Sequence, residues 1–332
     1  VEENERAAIV CANATVRDWI PALDRRRLLT SLGSLTLAGI SGIGLGQIAA
    51  RAAGAHAFAY GEFEITVVSD GHLTLAPEMF ARNVEPARVA AALALADPSA
   101  GVKAPTNVTL VKTSSDLILI DVGSGPNFMP TAGKLVDNLA GLGVDRTKIT
   151  KVVFTHGHPD HLWGTIDEFE DAPTFPNASY VISEQEWNLW MSEDVLAKIP
   201  QDRQNFAPGA KRNLARIKDR LRTIKPGEDI AAGLRAVDTS GHTQGHIAVE
   251  IAGRGDPLIV LGDALIHPVI SFAHPNWAPA ADHEPNRAAA TRKWLLDRLA
   301  ADRSPIIGYH LPFPGLGHVE RRGAGFAFVP WG

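Results

Sequence analysis

The sequence predicts an α/β domain built on two sheets. Three observations carry that reading. Short apolar runs alternate with helical patterns from Phe58 onward, two pairs of neighbouring runs read as hairpins, and no Pro/Gly/Ser linker divides the chain after residue 57. In chain order the runs begin with a strand at Glu64–Ser69 and a helix over Pro86–Ala96. Val108–Lys112 and Leu117–Asp121 follow as strands joined by a polar turn, hence a hairpin. A helix is expected over Lys134–Leu142, then strands at Lys151–Thr155 and Ser179–Ser183, then helices over Glu184–Met191 and Ala210–Arg220. Ala236–Thr239 is the next strand, and Ile247–Ile251 and Pro257–Leu261 form a second hairpin across a Gly-containing turn. Helix Asn286–Ala301 and strand Pro305–Tyr309 close the series. Hairpins mixed with βα units exclude a purely parallel sheet. Ile266–Pro285, rich in Pro and His, reads as a surface loop or a lid over a site.

Composition sets limits on the chemistry. The chain has 332 residues, 45% apolar and 21% charged, with a formal net charge of −5. Nothing in that balance points to nucleic acid. Cys11 is the one cysteine, so neither an internal disulfide nor a cysteine metal site is available. Any metal must be held by His, Asp and Glu.

The first 57 residues read as an export region and 58–332 as the folded domain. Arg25 and Arg26, followed by Leu28-Leu29 and an uncharged stretch to Ala50, resemble a twin-arginine signal. Ala55-His56-Ala57 is a small-x-small cleavage pattern. Five glycines make the uncharged stretch a poor lipid helix, so the expectation is a periplasmic protein with no membrane anchor after cleavage.

The chemical signal is Thr155-His156-Gly157-His158-Pro159-Asp160-His161, delivered by the apolar run Lys151–Phe154 to a strand end. His156 and His158 are two apart and can point the same way from extended backbone. Pro159 then turns the chain and sends Asp160 and His161 to a neighbouring position. Four ligand types this close can serve two metals but hardly one, because adjacent residues cannot all converge on a tetrahedral ion. Three later positions have the same character. His242, Asp263 and His310 each follow an apolar run. His246 reads as a supporting histidine rather than a ligand.

HxHxDH, then Gly241-His242-Thr243-Gln244-Gly245-His246, then a lone Asp263 and a late His310, resembles the ordered pattern of the metallo-β-lactamase superfamily. The resemblance implies a four-layer αββα sandwich with a dimetal site at one edge. It implies that His156, His158 and His242 hold one ion, that Asp160, His161 and His310 hold the other, and that Asp263 bridges both. Zinc is the first expectation for the ions, though Mn, Co or Fe also suit His and carboxylate ligands. Phe63-Glu64-Ile65-Thr66, Ser69-Asp70-Gly71, the stretch His310–His318 and Phe326–Pro330 are similar to the branch containing methyl parathion hydrolase and its lactonase-like relatives. That likeness implies a substrate pocket lined by Phe128, Trp190 and Phe206, and a homodimer.

The implied activity is hydrolysis of a small-molecule ester by a hydroxide shared between two ions, with Asp160 taking up its proton. Aryl phosphotriesters such as methyl parathion are the first expectation. Many lactonases of this superfamily place a Tyr three residues after the bridging Asp, where this chain has Ile266. Lactones and β-lactams are the alternative substrates on the same site. The intact His158 argues against a diiron redox protein on this fold.

Overall fold

The computed structural model describes residues 54–331 apart from 98, 100 and 254. The export region expected at 1–57, with its Arg25-Arg26 pair, therefore lies outside the described residues except for its last four positions. Those positions belong to the first sheet. Ala55–Tyr60 forms strand β1, paired antiparallel with β2 (Phe63–Leu75), Ala55 against Val68 and Ala57 against Thr66. Ala55 is buried. A cut after Ala57 would remove half of β1, so the folded domain begins no later than Ala55.

The remaining strands of the first sheet are β3 (Val102–Lys112), β4 (Leu117–Ile120), β5 (Lys151–Val153), β8 (Ser179–Ser183) and β9 (Leu221–Ile224), and a ribbon of β6 (Ile166–Asp167) and β7 (Ala172–Pro173) stands apart. The order is β1-β2-β3-β4-β5-β8-β9, antiparallel up to β4 and parallel from β4 to β9. The second sheet holds β10 (Asp229–Ala231), β11 (Leu234–Asp238), β12 (Ile247–Ile251), β13 (Leu258–Val260), β14 (Ile306–Ile307), β15 (Leu316–Arg322) and β16 (Gly325–Pro330), in that order. Only β13 and β14 pair in parallel there, joined by the crossover that contains helix Pro285–Asp302.

Strand periodicity sorts the side chains into layers. Along β2, Ile65 and Val67 turn to the space between the sheets, while Val68 turns to the outer face. On β8, Val181 faces inward and Tyr180 and Ile182 face outward. The inner layer joins Ile118, Ile120 and Val153 of the first sheet to Val249, Val260 and Ile307 of the second. The outer face of the first sheet packs on Leu135, Leu139, Trp190, Leu214 and Ile217, all on helices. The outer face of the second packs on Leu295, Leu296 and Leu299 of helix Pro285–Asp302. The result is the expected αββα sandwich. Truncating a buried Leu or Ile in any layer would cost about 2–5 kcal/mol.

Several element bounds differ from expectation for local reasons. The helix expected over Pro86–Ala96 stops at Ala92, and Ala94 turns left-handed with φ 52°. Ala207–Ile217 begins three residues ahead of expectation, with Pro208 in its first turn. The strand expected at Pro305–Tyr309 narrows to Ile306–Ile307. The 266–285 segment is more than a loop. It contains helix Ile270–Ala273 and sends four residues toward the site described next.

Candidate metal centre

β5 delivers the His-rich loop to the sheet edge. His158 is extended (φ −68°, ψ 157°), as a residue before proline must be, and Pro159 opens the short helix Pro159–Leu162. The change of backbone after His158 places Asp160 and His161 on the first turn, away from the extended pair. The other ligand types arrive from three more strand ends, β11, β13 and β14. Gly262, left-handed at φ 51°, turns the chain out of β13 so that Asp263 points back, and a Cβ there would press on His246 and Thr155.

All seven expected ligands converge. One ligand atom each from His156, His158, His242 and Asp263 lie within 4.8 Å of one another, and the same holds for Asp160, His161 and His310. Asp263 reaches both groups: its Oδ2 is 3.3 Å from His242 Nε2 and 3.4 Å from His310 Nε2, and its Oδ1 is 3.1 Å from His161 Nε2. Asp160 Oδ2 lies 3.2 Å from His310 Nε2. His156 Nε2, His161 Nε2, Asp160 Oδ2 and Asp263 Oδ1 are buried with no hydrogen-bond partner among the described residues. Each such atom costs about 1–3 kcal/mol if nothing satisfies it. Four of them converging on one spot fit the donor set of a divalent metal site.

The opposite edges of these rings are fixed by the protein. His161 Nδ1 donates to Asp121 at 2.8 Å, His242 Nδ1 to Asp282 at 3.0 Å and His310 Nδ1 to the Pro105 carbonyl at 2.7 Å. These bonds leave each Nε2 free to coordinate. His158 is reversed. Its Nδ1 faces His242 and its Nε2 meets His283 Nε2 at 3.1 Å. His246 accepts the Asp263 backbone N–H on Nε2 at 2.9 Å and reaches Thr239 through Nδ1, so it orients the Asp263 loop without coordinating. Tyr309 donates to the Asp160 carbonyl at 2.5 Å.

Asp121 and Asp282 were missed in the sequence, and both are fully buried. Asp121 also accepts the Thr155 N–H and hydroxyl, each at 2.8 Å, from a left-handed backbone with φ 63°. Strain of that kind at a site is held by its surroundings. Asp282 is paired with Arg292 at 2.8 Å. Asp121 ends an apolar strand facing the His cluster, which was a readable signal; Asp282 had none.

Electrostatics follow from burial and from carboxylates. Burial pushes His156 and His158 well below the usual range, and neighbouring histidines add to it. Burial also opposes charge on His242 and His310, but Asp263 with Asp282 or Asp160 outweighs it, raising them to about 9 and about 10. The carboxylates therefore hold protons on these rings that a cation would displace.

Glu186 ties the two ligand loops together. Its Oε1 accepts from Gly157 N at 2.9 Å and Trp190 Nε1 at 2.6 Å, and its Oε2 from Thr243 Oγ1 at 2.7 Å and Gly245 N at 3.0 Å. Ser183 caps the helix that carries Glu186 and Trp190. A Cβ on Gly157 would fall 2.2 Å from Trp190 Nε1. The glycine between the two histidines is therefore required by close packing.

A cavity of about 250 Å³ opens above the ligands, with His158, Asp160, His242, Asp263 and His310 in its wall. Phe128 and Phe206 line it, in edge contact at 6.1 Å, and so do Phe80 and Ile266. Trp190 does not. It is fully buried beneath the His156–His158 loop, its ring 6.1 Å from that of His158, bonded to Glu186. The pocket role expected for Trp190 is corrected to a supporting one, because its indole N–H is committed to a buried carboxylate.

The family model described as metallo-beta-lactamase superfamily matches residues 101–310, a span that holds every candidate ligand named above. The chain belongs to that superfamily. It is similar to the Bacillus subtilis protein named Probable metallo-hydrolase YqjP, 28% identical over 63% of this chain and 66% of that one, just under two thirds of the relative's length. Among solved structures it is similar to AidC, a dizinc quorum-quenching lactonase in complex with a product, N-hexanoyl-L-homoserine. That match has a TM-score of 0.78 at 28% identity, over 84% of this chain and 98% of AidC. The hydrolase AbOPH of the beta lactamase superfamily gives a TM-score of 0.78 at 29% identity, with the same coverage.

Proposed function

We propose that this chain hydrolyses small lipophilic esters, with lactones as the first substrate class and zinc as the metal, two ions per chain. The observation that carries the reading is the cavity itself: its floor is the ligand cluster and its walls are almost wholly apolar. The likeness to AidC supports lactones and zinc over the other members of each class.

When bound, the ions supply Lewis acidity and a water acidic enough to attack near neutral pH. The chain's own residues do the rest. Asp121 and Asp282 hold two ligand rings in the coordinating tautomer. Asp160 turns Oδ2 toward His310 and His161, leaving Oδ1 to take a proton from the attacking water and return it to the leaving oxygen. That return matters for an alkoxide leaving group, since Ile266 offers no proton. The apolar wall excludes bulk water and holds an acyl chain.

Aryl phosphotriesters are the second reading, favoured by the edge-on pair Phe128 and Phe206, which can grip an aromatic leaving group. The test is kcat/KM of zinc-loaded enzyme on hexanoyl and decanoyl homoserine lactones, a paraoxon-like triester and a nitrocefin-like β-lactam. Lactones should lead by about tenfold or more. A triester preferred over every lactone would reverse the order of the two readings, and turnover of neither would overturn both.

We also propose export to the periplasm through the Arg25-Arg26 pair. The mature N-terminus, read by mass spectrometry, should lie ahead of Ala55, because β1 starts there. A mature chain starting at Phe58 would contradict the strand pairing, and retention of export after Arg25→Lys with Arg26→Lys would sink the signal.

A further inference from the structure

Arg203 is out of keeping with the cavity it helps to line. The other lining residues are apolar or belong to the ligand cluster, and Arg203 is the one Arg or Lys side chain among them. It sits in the turn Gln201–Phe206 and is only 8% exposed. Its Nη1 donates to the Asp202 carbonyl at 3.0 Å. The Asp202 carboxylate is 3.6 Å away, half-exposed, and shared with Arg82 at 3.4 Å. Nε and Nη2 of Arg203 are buried and have no hydrogen-bond partner among the described residues.

A guanidinium carries five N–H donors and no acceptor, and stays charged inside proteins. Burying one with most donors unmet forfeits the hydrogen bonds those donors make to water. Among the described residues only the contacts with Asp202 offset that. The buried acceptors in the same wall, Asp160 and Asp263, are turned to the histidines. The Phe206 ring, 5.6 Å from Cζ, steadies the head group without giving it an acceptor. Arg292 is a contrast within the same chain: also buried, it donates to Asp282 and to the Pro275 and Trp277 carbonyls.

We infer that Arg203 is a specificity-determining residue that donates to a carbonyl oxygen on the non-reacting arm of the substrate, the amide oxygen of an acylamino group beside the scissile ring. The inference rests on the reading of this cavity as the ester-binding site. A flat, two-pronged donor in an apolar wall selects a ligand with one oxygen at that place, and rejects one with a methylene there, because the donors are then sealed off unpaired. The acyl chain beyond the amide would lie along Phe206 and Phe128.

The test uses two non-hydrolysable lactams on zinc-loaded enzyme, 3-hexanoylamino-2-pyrrolidinone and 3-heptyl-2-pyrrolidinone. They share ring and chain and differ in the amide. Calorimetry should give about tenfold tighter binding of the amide ligand by the wild type. Arg203→Met should bring the ratio to within about twofold, with zinc content unchanged. Arg203→Lys keeps the charge and loses the fork, so its ratio should fall by about threefold; it stands in if the Met variant does not fold. Equal affinities in the wild type, no measurable binding of either lactam, or a ratio untouched by both substitutions would overturn the assignment. The ester panel decides the activity separately. Absence of turnover there with the lactam ratio intact would remove the proposed reaction and leave the Arg203 subsite standing.

Discussion

Glu186→Gln keeps the size of the side chain and changes one acceptor into a donor, at the point where the two halves of the metal site meet. The carboxylate now accepts four hydrogen bonds, two on each oxygen. A Gln has one acceptor oxygen, so it can accept from only one pair. If its oxygen stays with Gly157 N and Trp190 Nε1, its NH2 faces Gly245 N and Thr243. The Thr243 hydroxyl can rotate to accept, but the Gly245 N–H cannot, and is left against a donor. One hydrogen bond to a charged group is lost, worth about 1.5–3 kcal/mol, and the rest weaken as the charge goes. Relief of a buried charge offsets part of this, since burial already pushes the Glu186 carboxyl up. A net loss of about 2–3 kcal/mol follows, a fall of roughly 4–10 °C in Tm. Gly157 lies between two ligands and Gly245 beside His246, so metal affinity should drop about tenfold or more although no ligand is touched. Calorimetric melting and competition with a chelator measure the two effects. A variant that melts within 1 °C of the wild type and binds zinc with unchanged affinity would refute the idea that Glu186 couples the loops; both thresholds are about the resolution of such comparisons.

Trp190→Ala should lower activity on aryl triesters and small lactones by the same factor and cost about 3–5 kcal/mol of stability, because the ring fills space under the loop; a selective loss on aryl substrates would restore it to the pocket. Asp263→Ala removes the carboxylate shared by both ligand groups, so metal content should fall and activity drop by about a thousandfold or more on every substrate; full metal occupancy by plasma spectrometry would contradict the shared role. Burial pushes His267 down to about 4, so the folded state favours its neutral form. Stability from this residue is present above the unfolded pKa near 6.5 and is lost as pH falls toward 4, by at most about 3 kcal/mol. In urea titrations from pH 7 to 4.5 the wild type should lose more stability than His267→Asn, and parallel curves would dismiss the effect.

Much of the fold was legible because its interior strands are apolar runs with turns at their ends. Ser179–Ser183 and Ile247–Ile251 match the expected bounds. The strands that escaped are at sheet edges or near them. Leu316–Arg322 reads LGHVERR and its last three residues are exposed, so little in it signals a strand; backbone pairing with β14 and β16 makes it one. Ala55–Tyr60 was hidden differently. Its Ala-His-Ala looked like a processing site, and its strand character comes from pairing along β2.

The candidate ligand positions were legible for a reason that does not extend to their support. A ligand must be one of a few residue types and must sit where a strand ends, so Asp263 and His310 betray themselves only together with the His156–His161 cluster. A supporting residue has only to place an acceptor at the right point, and any element near the site can do that. Asp282 reaches His242 from a segment whose sequence stands out only for its prolines and histidines. Trp190 shows the reverse error. Likeness to relatives put it near the site, and it is near, but nearness does not say which side of the loop a ring occupies. The neighbouring sequence did hold the answer. Gly157 stands between two ligand histidines in extended backbone, where its φ does not demand glycine. A residue without a side chain at such a place means that something presses against the backbone there. The large side chain that does so, Trp190, cannot also be facing the substrate.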